Sequence, residues 1–128
     1  MTQTIRGIEG HHLIFDLEGC DRAFLADEEA ICAFLEGLVV ELDMTKLMPV
    51  QSWKGTSSKS EHWGITAFVP IAESHITTHT FPELGAAWLD IFSCLALPVT
   101  LVCKIVEEAY KPKDYKMDYR ERGLREII

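Results

Sequence analysis

The densest run of chemically capable side chains is Ala72-Glu73-Ser74-His75-Ile76-Thr77-Thr78-His79-Thr80-Phe81-Pro82-Glu83. It gathers a serine, two histidines, three threonines and two carboxylates. Such density needs a reason, because polar groups buried in a sheet cost free energy unless they are paired. One reading is an edge strand with a solvated face. A metal pair is not expected. His75 and His79 have helical ligand spacing, but on a strand they lie roughly 13 Å apart, too far to share an ion bound at about 2 Å. His11 and His12 are adjacent, so a strand sends them to opposite faces. A serine-hydrolase reading of Ser74 is weak, since it lacks a G-x-S-x-G elbow.

The elements that must position this run follow from periodicity. Ala26 to Leu42 carries Ile31, Phe34, Leu35, Leu38, Val39 and Leu42 as one apolar stripe, with Asp27, Glu28 and Glu29 at its positive end. A second helix is expected from about Pro98 to Tyr110, stopped by Pro112. Strands are expected at His11 to Leu17, Lys46 to Trp53, Trp63 to Ile71, Ser74 to Phe81, Ala86 to Cys94 and Asp114 to Arg122. Pro82 to Gly85 reads as a turn and Gly55 to Glu61 as a flexible loop. The order β-α-β-β-β-β-α-β predicts an α/β (α+β) two-layer sandwich, an antiparallel sheet with two helices on one face. Its other face is then left for substrate or a partner subunit. Residues 1–128 are expected to form a single domain.

Composition narrows the partners. The chain has 128 residues, 48% apolar, enough for a core without staples. A net charge of −8 argues against nucleic acid. No basic amphipathic helix and no run of about 20 apolar residues suggests a membrane. Met1 to Gly10 does not read as a signal peptide, and Cys20, Cys32, Cys94 and Cys103 show no CxxC spacing. Reduced thiols and a cytoplasmic location are expected.

Glu73-Ser74-His75-Ile76, His79-Thr80-Phe81-Pro82-Glu83 and Asp90-Ile91-Phe92-Ser93-Cys94 closely resemble the signature of the short prokaryotic S-adenosylmethionine decarboxylases. Gly10-His11-His12-Leu13 with Gly19-Cys20, and Ala109-Tyr110-Lys111-Pro112-Lys113 with Arg122-Gly123, resemble that family's opening and closing segments. The resemblance implies self-cleavage between Glu73 and Ser74, converting Ser74 to a pyruvoyl cofactor that takes the substrate amine as a Schiff base. It implies processing roles for His79 and Thr66, where the family usually has Ser. It makes Cys94 the proton donor, although a free cysteine is more often a small core residue. Glu83 and Phe81 match the groups that hold ribose and adenine. A tight turn at Ala72 to Ser74 would supply backbone strain for the cut.

The implied activity is decarboxylation of S-adenosylmethionine for polyamine (spermidine) synthesis, by a homodimer with both protomers near each site. Three features depart from the pattern: no aromatic near Ser60, where Trp53 or Trp63 could stand in; Leu95 rather than glycine after Cys94; and a short apolar Leu95 to Val99. The same chemistry on arginine or ornithine therefore stays open, as does a non-processing regulatory or binding relative.

Overall fold

A computed structural model describes residues 7–56 and 61–127. Its elements are β1 (Gly7–Glu18), α1 (Arg22–Leu25), α2 (Glu28–Glu41), β2 (Gln51–Gly55), β3 (Gly64–Ile71), β4 (Ser74–Phe81), β5 (Ala86–Ser93), α3 (Val99–Tyr110) and β6 (Asp114–Arg125). The six strands form one sheet in the order β2-β3-β4-β5-β1-β6, and every pair is antiparallel. The expected order is present with one addition, the single turn α1, which is too short to show a period. Asp21 caps it by accepting from the Ala23 N–H.

The core lies between the sheet and α2 and α3. Leu13, Phe15 and Leu17 of β1, Ile65, Ala67, Val69 and Ile71 of β3, and Leu89 and Ile91 of β5 are buried against Leu35 and Leu38 of α2 and Val102 and Val106 of α3. Asp27 is the N-cap of α2 rather than part of it, accepting from the Ala30 N–H at 3.0 Å. Pro98 likewise stands just before α3, and the chain leaves α3 at Lys111 with φ 48°.

Alternation accounts for the polar strand. Ile76, Thr78 and Thr80 of β4 face the helices, and both threonines are fully paired. Thr78 Oγ1 donates to the Trp88 carbonyl at 2.8 Å and lies 2.7 Å from the Tyr110 hydroxyl. Thr80 Oγ1 donates to the Leu25 carbonyl at 2.7 Å. His75, Thr77 and His79 fall on the other face, which no helix covers. That face is neither fully solvated nor purely polar: Trp53, Phe68 and Trp88 are 56%, 42% and 52% exposed on it.

Several strand boundaries differ from expectation. β2 starts at Gln51 instead of Lys46, because Pro49 offers no N–H to the ladder; Lys46 keeps only an isolated bridge to Ile71. β1 begins at Gly7, and β6 runs to Arg125, because these two polar segments pair with each other from Gly7–Arg125 to Glu18–Asp114. Trp63 stands outside β3, with the Lys54 ammonium 5.2 Å from its ring.

Candidate active site

The Glu73–Ser74 bond lies at a two-residue hairpin. Ile71 pairs with Ser74, so Ala72 and Glu73 alone make the turn between β3 and β4. Such turns match strand twist best with φ above zero at their central residues. Neither has it; Ser74 instead takes φ 155°, one of three positive values among the described non-glycine residues. A side-chain-bearing residue there is strained.

Neighbours fix both sides of this bond. The Cys94 backbone N–H donates to the Glu73 carbonyl oxygen at 2.8 Å, withdrawing electrons from the carbon that Ser74 Oγ would attack. The Thr45 N–H donates to Glu73 Oε1 at 2.9 Å, and this bond holds the Glu73 carboxyl below its usual range. Ser93, fully buried, pairs with Ser74 across the ladder, and its Oγ accepts from the Leu95 N–H at 2.9 Å, turning the chain so that exposed Cys94 follows β5. Ser74 and Cys94 line one cavity of about 230 Å³ with Gly10, Phe92, Arg122 and Leu124.

His79 and Thr66 form a second group. They are cross-strand partners on the uncovered face, with Thr66 Oγ1 and His79 Nδ1 hydrogen-bonded at 3.0 Å. They line a cavity of about 150 Å³ with Trp53, His62 and Phe81. Glu83 adjoins it through His62. Glu83 Oε2 lies 3.2 Å from His62 Nδ1, and Phe81 packs edge-on against Trp88 with centroids 5.2 Å apart. Of the two tryptophans considered as stand-ins for an aromatic near Ser60, Trp53 lines this cavity. Ser60 itself lies outside the described residues.

The sequence-derived residues thus fall into two groups, Glu73, Ser74 and Cys94 at one end of β4 and Thr66, His79, Phe81 and Glu83 at the other. Five residue steps of strand take the chain from Ser74 to His79, roughly 17 Å. That is far beyond the roughly 3 Å of a proton transfer. Within one chain, His79 does not reach Ser74.

Sequence reasoning missed the Cys94 N–H on the Glu73 carbonyl, the His62–Glu83 pair and the cluster between the two groups. In that cluster His12 Nε2 lies 3.0 Å from Asp90 Oδ1, and His75 stacks on Phe92 with centroids 5.6 Å apart. Burial, followed by the charge of His12, lowers the His75 pKa. His75 and Asp90 stood within the quoted motif, but the register that joins them to His12 is not written in the sequence. Among the described residues no group of His, Cys, Asp and Glu is arranged to hold a metal, and no helix is long and apolar enough to cross a membrane.

Residues 11–123 match the family model for S-adenosylmethionine decarboxylase. The chain is 34% identical over 117 residues to the S-adenosylmethionine decarboxylase proenzyme of Archaeoglobus fulgidus, covering 91% of this chain and 99% of that one. It is 33% identical over 117 residues to the arginine decarboxylase proenzyme of Ignicoccus hospitalis, covering 91% and 78%. The crystal structure of the adenosylmethionine decarboxylase from Aquifex aeolicus VF5 superposes with a TM-score of 0.76 at 30% identity, covering 93% of this chain and 94% of that one.

Proposed function

This chain belongs to the S-adenosylmethionine decarboxylase family, and from that premise we propose that it cuts itself between Glu73 and Ser74 and then decarboxylates S-adenosylmethionine. One observation carries the reading: the Cys94 N–H on the Glu73 carbonyl, 2.8 Å away, beside a Ser74 held at φ 155°. Ser74 Oγ adds to the Glu73 carbonyl carbon, the C–N bond breaks, and the acyl group passes to oxygen as an ester. Removal of the Ser74 α-proton then expels the Glu73 carboxylate, and one water releases ammonia from the new terminus. Positive φ at Ser74 strains the reactant, and the Cys94 donor stabilises charge on the oxygen as the nucleophile adds.

The α-proton needs a base, and His79 of the same chain is too far away. We place the Thr66–His79 pair of a second copy at this bond, in a homodimer that brings uncovered sheet faces together. Exposed Trp53, Phe68 and Trp88 supply the apolar area such an interface needs. Thr66 Oγ1, 3.0 Å from Nδ1, orients the imidazole. Phe81 and Glu83 would arrive with it, Phe81 against the adenine and Glu83 against the ribose hydroxyls.

The residues around Ser74 fit a pyruvoyl group, which supplies a ketone able to take up the substrate amine and the electron pair left when carbon dioxide departs. Cys94 Sγ, lining the same cavity, holds the proton that the substrate's α-carbon receives. That role needs a free thiol, and all four cysteines are free, which suits a reducing cytoplasm. The product would be the aminopropyl donor for polyamine (spermidine) synthesis.

The test is the intact mass of freshly purified protein under denaturing conditions. Fragments 1–73 and 74–128, summing to the chain plus one water less one ammonia, are expected, followed by release of carbon dioxide from S-adenosylmethionine. A single stable chain would overturn the proposal. Arginine as the only substrate would keep the cleavage chemistry but replace the substrate, in line with the Ignicoccus relative.

A further inference from the structure

The cavity holding Ser74 and Cys94 contains a cation that the self-cleavage steps do not use. Arg122 reaches it from β6, and its guanidinium carbon sits 4.7 Å from the centroid of the Phe92 ring. The placement depends on Gly10, the cross-strand partner of Arg122 on β1. A Cβ at Gly10 would come within 3.1 Å of Phe92 Cζ and 3.2 Å of Arg122 Cβ, so the missing side chain lets both close over the strand. A guanidinium stacked on a ring keeps its in-plane N–H groups free for a planar, two-pronged acceptor. Among the described residues no carboxylate forms an ion pair with Arg122.

We propose that Arg122 holds the α-carboxylate of the amino-acid substrate and is a specificity-determining residue for acids over amines. The inference rests on the decarboxylase reading above. A substrate whose α-amine reaches residue 74 carries its carboxylate two bonds from that amine, hence into the cavity that Arg122 lines. In the reaction the bond from the α-carbon to the carboxylate breaks, and its electron pair stays with the α-carbon. The carboxylate's charge therefore drains away from Arg122 as carbon dioxide forms. An ion pair that weakens along the reaction stabilises bound substrate more than the transition state, so it lowers KM without raising kcat.

The experiment compares wild type with Arg122→Met and Arg122→Lys after confirming self-cleavage by intact mass. Two probes that cannot be decarboxylated are titrated calorimetrically: desamino S-adenosylmethionine, with carboxylate but no amine, and decarboxylated S-adenosylmethionine, with amine but no carboxylate. Arg122→Met should weaken the acid roughly ten- to hundredfold while leaving the amine unchanged or tighter, since a neighbouring cation is gone. KM for S-adenosylmethionine should rise by a similar factor with kcat unchanged or higher. Arg122→Lys should recover part of the acid binding and, should the methionine variant fail to fold, provides the same comparison. Equal weakening of both probes, unchanged KM, or no binding of the acid to cut wild type would overturn the assignment. An uncut wild type without activity would overturn the decarboxylase reading and this inference with it, whereas a cut, active wild type matched by Arg122→Met overturns this inference alone.

Discussion

If His79 acts across a dimer interface, two dead chains should repair each other. The gap from Ser74 to His79 along β4 is roughly 17 Å, and no rotamer closes it on a paired strand. Ser74→Ala removes the nucleophile, and His79→Ala removes the base at a cost of roughly 10²–10⁴ in rate. Each variant alone should therefore remain uncut over the time in which wild type is fully processed. Co-expressed in equal amounts under different tags, they should pair at random, so about half the dimers are mixed. Each mixed dimer has one site with neither defect, built from Ser74 of the His79→Ala chain and His79 of the Ser74→Ala chain. About half of the His79→Ala chains, and none of the Ser74→Ala chains, should then be cut, leaving decarboxylase activity near a quarter of wild type per chain. Denaturing mass spectrometry distinguishes the chains by tag. Mixed dimers recovered through both tags but wholly uncut would refute the shared site, as would wild-type cleavage in His79→Ala alone.

Other consequences are more local. Cys94→Ser should be cut normally, because its backbone N–H still serves the Glu73 carbonyl, yet lose roughly 10²–10⁴ in turnover; parallel assays of cleavage and carbon dioxide release separate the two. Thr66→Val keeps the shape but not the hydroxyl beside His79, so cleavage should slow while thermal stability stays within about 1 kcal/mol of wild type. Tyr110→Phe deletes a fully buried hydroxyl 2.7 Å from Thr78 Oγ1. Thr78 keeps its bond to the Trp88 carbonyl, so the cost should be about 1 kcal/mol, a Tm drop of about 4 °C by calorimetry. Thiol labelling near pH 8 should reach Cys94 first and Cys20 last. Burial pushes the Cys20 thiol up to about 11, leaving roughly a hundredfold less thiolate than an ordinary cysteine, and early labelling of Cys20 would contradict that burial.

Much of the fold could be read from spacing alone. The period-2 set Ile65, Ala67, Val69, Ile71 and the stripe Ile31, Leu35, Leu38 name their own buried faces, so strand, helix and layer order follow. The first four residues of β1 and the last of β6 carry no such alternation, since each owes its extension to the other's hydrogen bonds. The candidate residues Ser74, His79, Cys94, Thr66, Glu83 and Phe81 come from resemblance to a family, and each lies in or beside a cavity or on the uncovered face. Their grouping was not legible. Proximity in sequence makes Ser74 and His79 look like neighbours, but strand rise sets them apart, while Cys94, twenty-one positions from Glu73, meets it just beyond the end of the β4–β5 ladder. Gly10 reads as an ordinary strand glycine until the register sets it opposite Arg122.

The order of strands bears on what happens to the molecule after a cut. Severed at Ser74, the chain becomes one piece carrying β1, β2 and β3 and another carrying β4, β5 and β6. These pieces do not sit side by side in the sheet. β1 of the first lies between β5 and β6 of the second, and β3 zips along β4. The nicked protein is a braid, and separating it means opening three ladders together rather than one seam. Once opened, its refolding is a meeting of two molecules, slower as the solution is diluted. Cleavage at that bond would thus turn one chain into an assembly of two pieces whose lifetime is guarded by its rate of opening.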